Sequence, residues 1–205
     1  MDTVNAQVVD CGVAKFALPG QGDSGDRHLI HCHKKGVLVA VIDGIGHGKE
    51  AAKAAKEAIS ILKERAGEPV VTLVESCHER LRGMRGVVLS VATIDVSDGV
   101  MAWLGVGNVQ GVLVRADNHK SGAPEPLLLR AGVVGCLLPP LQTTELPIAR
   151  GDTLYFATDG VSSAFSDSLS ALENPQRAAE RILRQFQTGK DDALVVVTRV
   201  VSVPS

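Results

Sequence analysis

The sequence predicts an α+β fold in which two antiparallel β-sheets pack as a sandwich flanked by helix pairs, an α-β-β-α arrangement. Continuous apolar runs of strand length, such as Val37–Ile42 and Thr153–Ala157, read as buried strands. Strands dominate the middle of the chain, and helical periodicity comes in two separate pairs instead of alternating with the strands. Two helix pairs need two apolar surfaces, which a sandwich covered on both faces supplies.

The elements follow in order. Val4–Leu18 is β-rich with partial alternation, and Pro19–Asp26 (PGQGDSGD) is a loop by composition. His28–His33 and Val37–Ile42 read as a hairpin around Lys34-Lys35-Gly36. From His47 to Arg65, Ala51, Ala54, Ala55, Ala58, Ile59 and Leu62 recur at helical spacing against Lys53, Lys56, Glu57 and Lys63. Pro69–Arg82 is a second helix, with Pro69 near its start. Gly86–Asp95, Val100–Gly105 and Gln110–Arg115 are successive strands of a meander with Asp/Gly turns between them. Asn118–Pro124 is a polar loop. Leu127–Leu129 and Thr144–Ile148 are further strands around a loop holding Pro139 and Pro140. Thr153–Ala157 is a strand, Ser163–Leu172 and Pro175–Phe186 are helical, and Ala193–Val201 is the final strand.

With 205 residues, the chain reads as one domain, 1–205, able to bury a core without disulfides or a structural metal. A formal net charge of −2 and the lack of a dense Lys/Arg run argue against nucleic acid as a partner. One Trp, one Tyr and four Phe make no base-stacking platform. Cys11, Cys32, Cys77 and Cys136 are spread out and read as small buried apolar residues of a reducing compartment. No signal-peptide pattern and no apolar run of membrane-spanning length is visible, so the expectation is a cytoplasmic protein without membrane association. No large amphipathic seam calls for an obligate dimer, and a monomer is expected.

Chemistry is concentrated where apolar runs end in Asp-Gly. Asp43 follows Val37–Ile42, and Asp159 follows Thr153–Ala157 after one Thr. The glycines beside them let backbone carbonyls approach whatever the carboxylates hold. Asp26 of SGD, and Asp191 with Asp192 in GKDDALVVV, add carboxylates at loop or strand edges. Singly, each is an ordinary turn residue whose side chain bonds its own backbone. Together they suggest one site, and converging carboxylates repel unless a hard divalent cation offsets them. Oxygen-only donors suit Mg²⁺ or Mn²⁺, with the Gly44 carbonyl a further ligand and Asp43 shared between two ions. Such ions make a nucleophile of water near neutrality, which suits attack on a phosphate ester.

Other patterns fail on inspection. GIGHGK lacks the third Gly of GxGxxG and the Ser/Thr of a P-loop, and Val41 stands where a DxDG phosphatase needs Asp. The GHKL kinase pattern DxGxG would put its glycines at Ile45 and His47, and GDSGD lacks the final Gly of GDSGG. His31 and His33 share a strand face, with strand packing the preferred reading.

The series SGD, DGIGHG opening an Ala-rich helix, ATDGV and DDALVVV resembles the metal-dependent protein phosphatases of the 2C type, in the bacterial subgroup related to the stage II sporulation phosphatase. GVGN (Gly105–Asn108) and RAGVVG (Arg130–Gly135) are smaller echoes. The resemblance implies a protein phosphatase 2C-like sandwich, without the flap segment of larger relatives. It implies two Mn²⁺ or Mg²⁺ ions, a third being possible, and hydrolysis of phosphoserine and phosphothreonine on proteins, with stressosome scaffold or sensor domains as substrates. Asp43 then maps to the bridging ligand and Gly44 to the carbonyl ligand. Asp159 and Asp191 map to the late ligands, Asp26 to the early one, and Asp43, Asp159 and Asp191 carry catalysis. Asp192 orients, and His47 lies beside the site. Eukaryotic members hold the phosphate with an N-terminal Arg, for which Lys15 and Arg27 are the candidates here. A non-catalytic binding module and a hydrolase of small phosphate esters are the alternatives.

Overall fold

A computed structural model describes residues 8–20, 23–116 and 124–202. The Asn118–Pro124 loop falls outside these residues except for Pro124, as do residues 4–7 of the first predicted strand. The strands are β1 (Val9–Phe16), β2 (Arg27–His33), β3 (Gly36–Gly44), β4 (Val87–Asp95), β5 (Val100–Val106), β6 (Gln110–Val114), β7 (Glu125–Pro126), β8 (Leu129–Arg130), β9 (Thr144–Pro147), β10 (Thr153–Ala157) and β11 (Ala193–Val200). The α-helices are α1 (Lys49–Glu64), α2 (Val70–Leu81) and α3 (Pro175–Phe186), with a 3-10 helix at Ser163–Ser168.

Two sheets form, ordered β1-β11-β10-β6-β7 and β2-β3-β4-β5-β8, with β9 also paired to β5. The run Val37–Ile42 is apolar throughout because β3 is covered on both faces. Val37, Val39 and Val41 face the other sheet, packing with Leu154, Phe156, Leu194 and Val196. Leu38, Ala40 and Ile42 face the helices, against Ala54, Ala58, Leu62, Leu73 and Cys77 of α1 and α2. On the far side, Ala178, Ala179 and Ile182 of α3 cover Tyr155, Ala157, Val195 and Val197. The alanines of α1 let that helix approach the sheet closely, and Asn174 caps α3 by accepting the N–H groups of Gln176 and Arg177.

Local expectations are corrected at four places. The meander breaks: β6 leaves β5 and pairs with β10 in the opposite sheet. Alternation marks a strand but does not choose its partner. Leu127–Leu129 is not one strand, since β7 adds to β6 and β8 pairs in parallel with β5, so this segment crosses between sheets. Ser163–Leu172 is a 3-10 helix only as far as Ser168; Ser166 and Ser168 hydroxyls donate to the carbonyls of Ser163 and Phe165, a local alternative to α-helical bonding. Of the four cysteines only Cys77 is buried. Cys11 is partly covered, while Cys32, on the edge strand β2, and Cys136, in a loop, are exposed. Among the described residues no helix is long and apolar enough to cross a membrane.

Candidate active site

The antiparallel register delivers the predicted carboxylates to one end of the sandwich. Arg27 pairs with Ile42, so one step further Asp26 stands across from Asp43. The Gly44 N–H donates to the Gly25 carbonyl at 3.3 Å, and a Cβ on Gly25 would lie 3.5 Å from Asp43 Oδ1. In the other sheet Ala157 pairs with Val195, which brings the turn after β10, with Asp159, beside the Asp191-Asp192 turn before β11. The contact is close: a Cβ on Gly160 would come within 1.9 Å of the Asp192 carbonyl oxygen, so only glycine fits there. Asp26, Asp43, Gly44, Asp159 and Asp191 are thus brought together.

Two of these groups are held against their own electrostatics. Asp26 is 4 % exposed, and burial raises its pKa to about 7; the Thr158 hydrogen bond opposes the rise, and the charges of Asp192, Asp159 and Asp191 add to it. Burial, then Asp26, Asp159, Asp191 and Asp192, raise Asp43 to about 8. Asp159, more exposed, is raised by burial and by Asp191, while a hydrogen bond from Asn108 lowers it. A cluster of mutually repelling carboxylates favours a cation.

The donor set fits a hard divalent ion: carboxylate oxygens and one backbone carbonyl. Among the described residues no three His, Cys, Asp or Glu side chains are already disposed to hold a metal. That arrangement is compatible with Mg²⁺, which keeps several waters and commonly takes only one or two carboxylates. His31 and His33 lie at the opposite end of β2 from Asp26 and contribute nothing here.

Three further residues organise the site. Thr158 Oγ1 donates to Asp26 Oδ2 at 2.8 Å and accepts the Leu194 N–H at 2.9 Å, so a buried hydroxyl locks the early carboxylate to β11. Asn108 Nδ2 donates to Asp159 Oδ2 at 2.8 Å, fixing that carboxylate. Asp192 accepts the Leu18 N–H at 2.8 Å and the Gly25 N–H at 3.2 Å, bracketing the loop that carries Asp26. Asp191 in turn accepts the Asp192 N–H at 2.8 Å. Asn108 was visible in sequence only as the end of GVGN, and Thr158 only as the residue before Asp159. Arg27 is spent on the loop itself, donating to the carbonyls of Ser24 at 2.7 Å and Asp26 at 2.8 Å. Lys15 on β1 has its ammonium pushed down by partial desolvation and by Arg27, against the opposing charge of Asp26.

A two-sheet sandwich with outer helices and acidic loops meeting at one rim is the architecture of the 2C-type protein phosphatases. Within that class, the chain belongs to the stage II sporulation protein E (SpoIIE) family, whose model matches residues 33–201. It is 24% identical to the phosphoserine phosphatase RsbX of Bacillus subtilis (strain 168), over 87% of each chain. A crystal structure of RsbX in complex with magnesium superposes with a TM-score of 0.83 at 21% identity, covering 94% of this chain and 95% of that one. A chain from the bacterial stressosome, described as a modular system adapted to control secondary messenger signalling, gives 0.82 at 27% identity, covering 93% and 99%.

Proposed function

We propose that this protein is a Mg²⁺- or Mn²⁺-dependent phosphatase that hydrolyses phosphoserine and phosphothreonine on proteins of bacterial stress signalling, stressosome scaffold or sensor domains among them. One observation carries the reading: Asp26, buried, and Asp43, half-buried, stand across from each other at the β2–β3 edge, and burial with neighbouring carboxylates raises both, a concentration of like charge that a cation would offset. Similarity to a phosphoserine phosphatase, and to its magnesium complex, supports both the reaction and the ion.

Asp26, Asp43, Asp159 and Asp191, with the Gly44 carbonyl, would hold the ions. When bound, the ions supply Lewis acidity toward the phosphoryl oxygens and an activated water. Asn108 fixes the orientation of the Asp159 carboxylate, and Thr158 does the same for Asp26. Asp192 holds the Asp26 loop closed against β11. The chain's contribution is mainly placement of charge, which is where most phosphoryl-transfer catalysis comes from.

Purified protein with Mn²⁺ or Mg²⁺ should hydrolyse p-nitrophenyl phosphate and a phosphoserine peptide, and Asp43→Asn should abolish both. Wild-type protein that binds neither ion by calorimetry and turns over neither substrate would defeat the proposal.

A further inference from the structure

Four carboxylates would offset two divalent cations in full, so the proposed centre presents no net positive charge to an arriving phosphate dianion. A cation outside the ligand set would add the attraction that the neutralised centre lacks at a distance. Arg27, a sequence candidate for that part, is bonded to backbone carbonyls of its own loop.

Arg85 is placed differently. It precedes β4, in the turn that runs beside the segment following Asp43 and Gly44; there the Ile45 N–H donates to the Gly86 carbonyl at 2.9 Å. Arg85 Nη1 donates back to the Ile45 carbonyl at 3.2 Å. A Cβ on Gly46 would come within 2.1 Å of the same nitrogen, so the guanidinium lies directly against the Asp-Gly loop. Gly46 has φ +84°, a conformation that itself favours glycine. Arg85 is exposed and, among the described residues, makes no ion pair with a carboxylate. A guanidinium carries five N–H donors in a fork matched to phosphate, and a single bond anchors this one.

We propose that Arg85 binds the outer oxygens of the substrate's phosphoryl group at the rim beside Asp43. The inference rests on the phosphatase reading and deepens it by naming the contact that holds the substrate. Its bond to Ile45 holds the guanidinium against the segment that follows Asp43 and Gly44, which reduces the entropy lost on binding.

The test compares wild type with Arg85→Ala, Arg85→Lys, Lys15→Ala and Arg82→Ala. Arg82 is a control from the same turn: exposed, and paired with Glu79 at 2.9 Å. Each is assayed with p-nitrophenyl phosphate and a phosphoserine peptide, with inorganic phosphate as inhibitor, alongside Mg²⁺ calorimetry and thermal melting. Arg85→Ala should raise KM and the phosphate inhibition constant roughly 10- to 100-fold, the range for a lost charge-assisted hydrogen bond. Its Mg²⁺ affinity and melting temperature should stay at wild-type values. Arg85→Lys should recover part of the loss, since Lys keeps the charge without the fork. Arg82→Ala should match wild type.

An active enzyme in which Arg85→Ala leaves KM and phosphate inhibition unchanged, or in which Lys15→Ala has the larger effect, overturns the assignment and leaves the phosphatase reading standing. If wild type is inert toward every ester, that reading fails. Calorimetry of phosphate with the Mg²⁺-loaded protein then decides the inference: binding lost in Arg85→Ala supports it, and equal or absent binding in both proteins overturns it.

Discussion

Replacing Asp43 by Asn in the metal-free protein should make the fold more stable while destroying its function. Asp43 ionises at about 8 in the folded chain, against 3.8 for a free aspartate, because it is buried beside Asp26 and near Asp159 and Asp191. A carboxyl whose folded pKa is raised contributes no penalty below about pH 4. It costs stability progressively as pH climbs toward 8, since the unfolded chain ionises first. At 1.36 kcal/mol per pH unit, the interval up to pH 7.5 sets a ceiling of about 5 kcal/mol. The Asp26 charge raises Asp43, so the two ionisations are coupled and part of that ceiling belongs to the pair. A gain of roughly 2–3 kcal/mol, or about 5–10 °C in Tm for a chain of this size, is the expected outcome. Urea denaturation in EDTA at pH 5, 6.5 and 8 provides the assay. Wild type should lose stability across that range more steeply than Asp43→Asn, and added Mg²⁺ should reverse the ranking. If metal-free Asp43→Asn is less stable than wild type at pH 8, or if both show the same pH slope, the carboxylates do not repel as the geometry indicates.

Other substitutions test the supports around the site. Thr158→Val removes the donor to Asp26 and leaves the Leu194 N–H buried without an acceptor; a loss of about 1–3 kcal/mol should appear in urea melts, together with weaker Mg²⁺ binding. Asp192→Ala releases the N–H groups of Leu18 and Gly25, so hydrogen exchange at those two amides should accelerate while α2 keeps its protection. Asn108→Leu should weaken Mg²⁺ binding by calorimetry roughly 3- to 10-fold, the worth of one net hydrogen bond, with little change in Tm because this contact is exposed.

What the sequence shows of this site depends on how each residue is marked. Asp43 and Asp159 were legible because β3 and β10 are buried on both faces, and their apolar runs stop abruptly at an acid and a glycine. Asp26 and Asp191 were legible only in combination with these, since each alone is a turn residue. Asn108 lies where the chain passes from β5 in one sheet to β6 in the other, and the hydropathy of a strand carries no label for its sheet. The Arg85 contact was equally hidden: it arises from a turn beside Ile45, 40 residues away, whose side chains follow no period. Ser163–Leu172 was misread because its apolar residues hinted at a helix while its serines bonded the nearby backbone.

The pairing of β1 with β11 has a consequence for how the protein comes into being. Among the described residues Val9–Phe16 pairs only with Ala193–Val200, and the loop bearing Asp26 is tied down by Asp192 and Thr158. During synthesis, therefore, the first of these segments must wait on the ribosome for nearly the whole intervening polypeptide to emerge. Until then the acidic nest is incomplete, which ties any hydrolytic activity to the emergence of β11 and leaves an open strand edge for chaperones to guard.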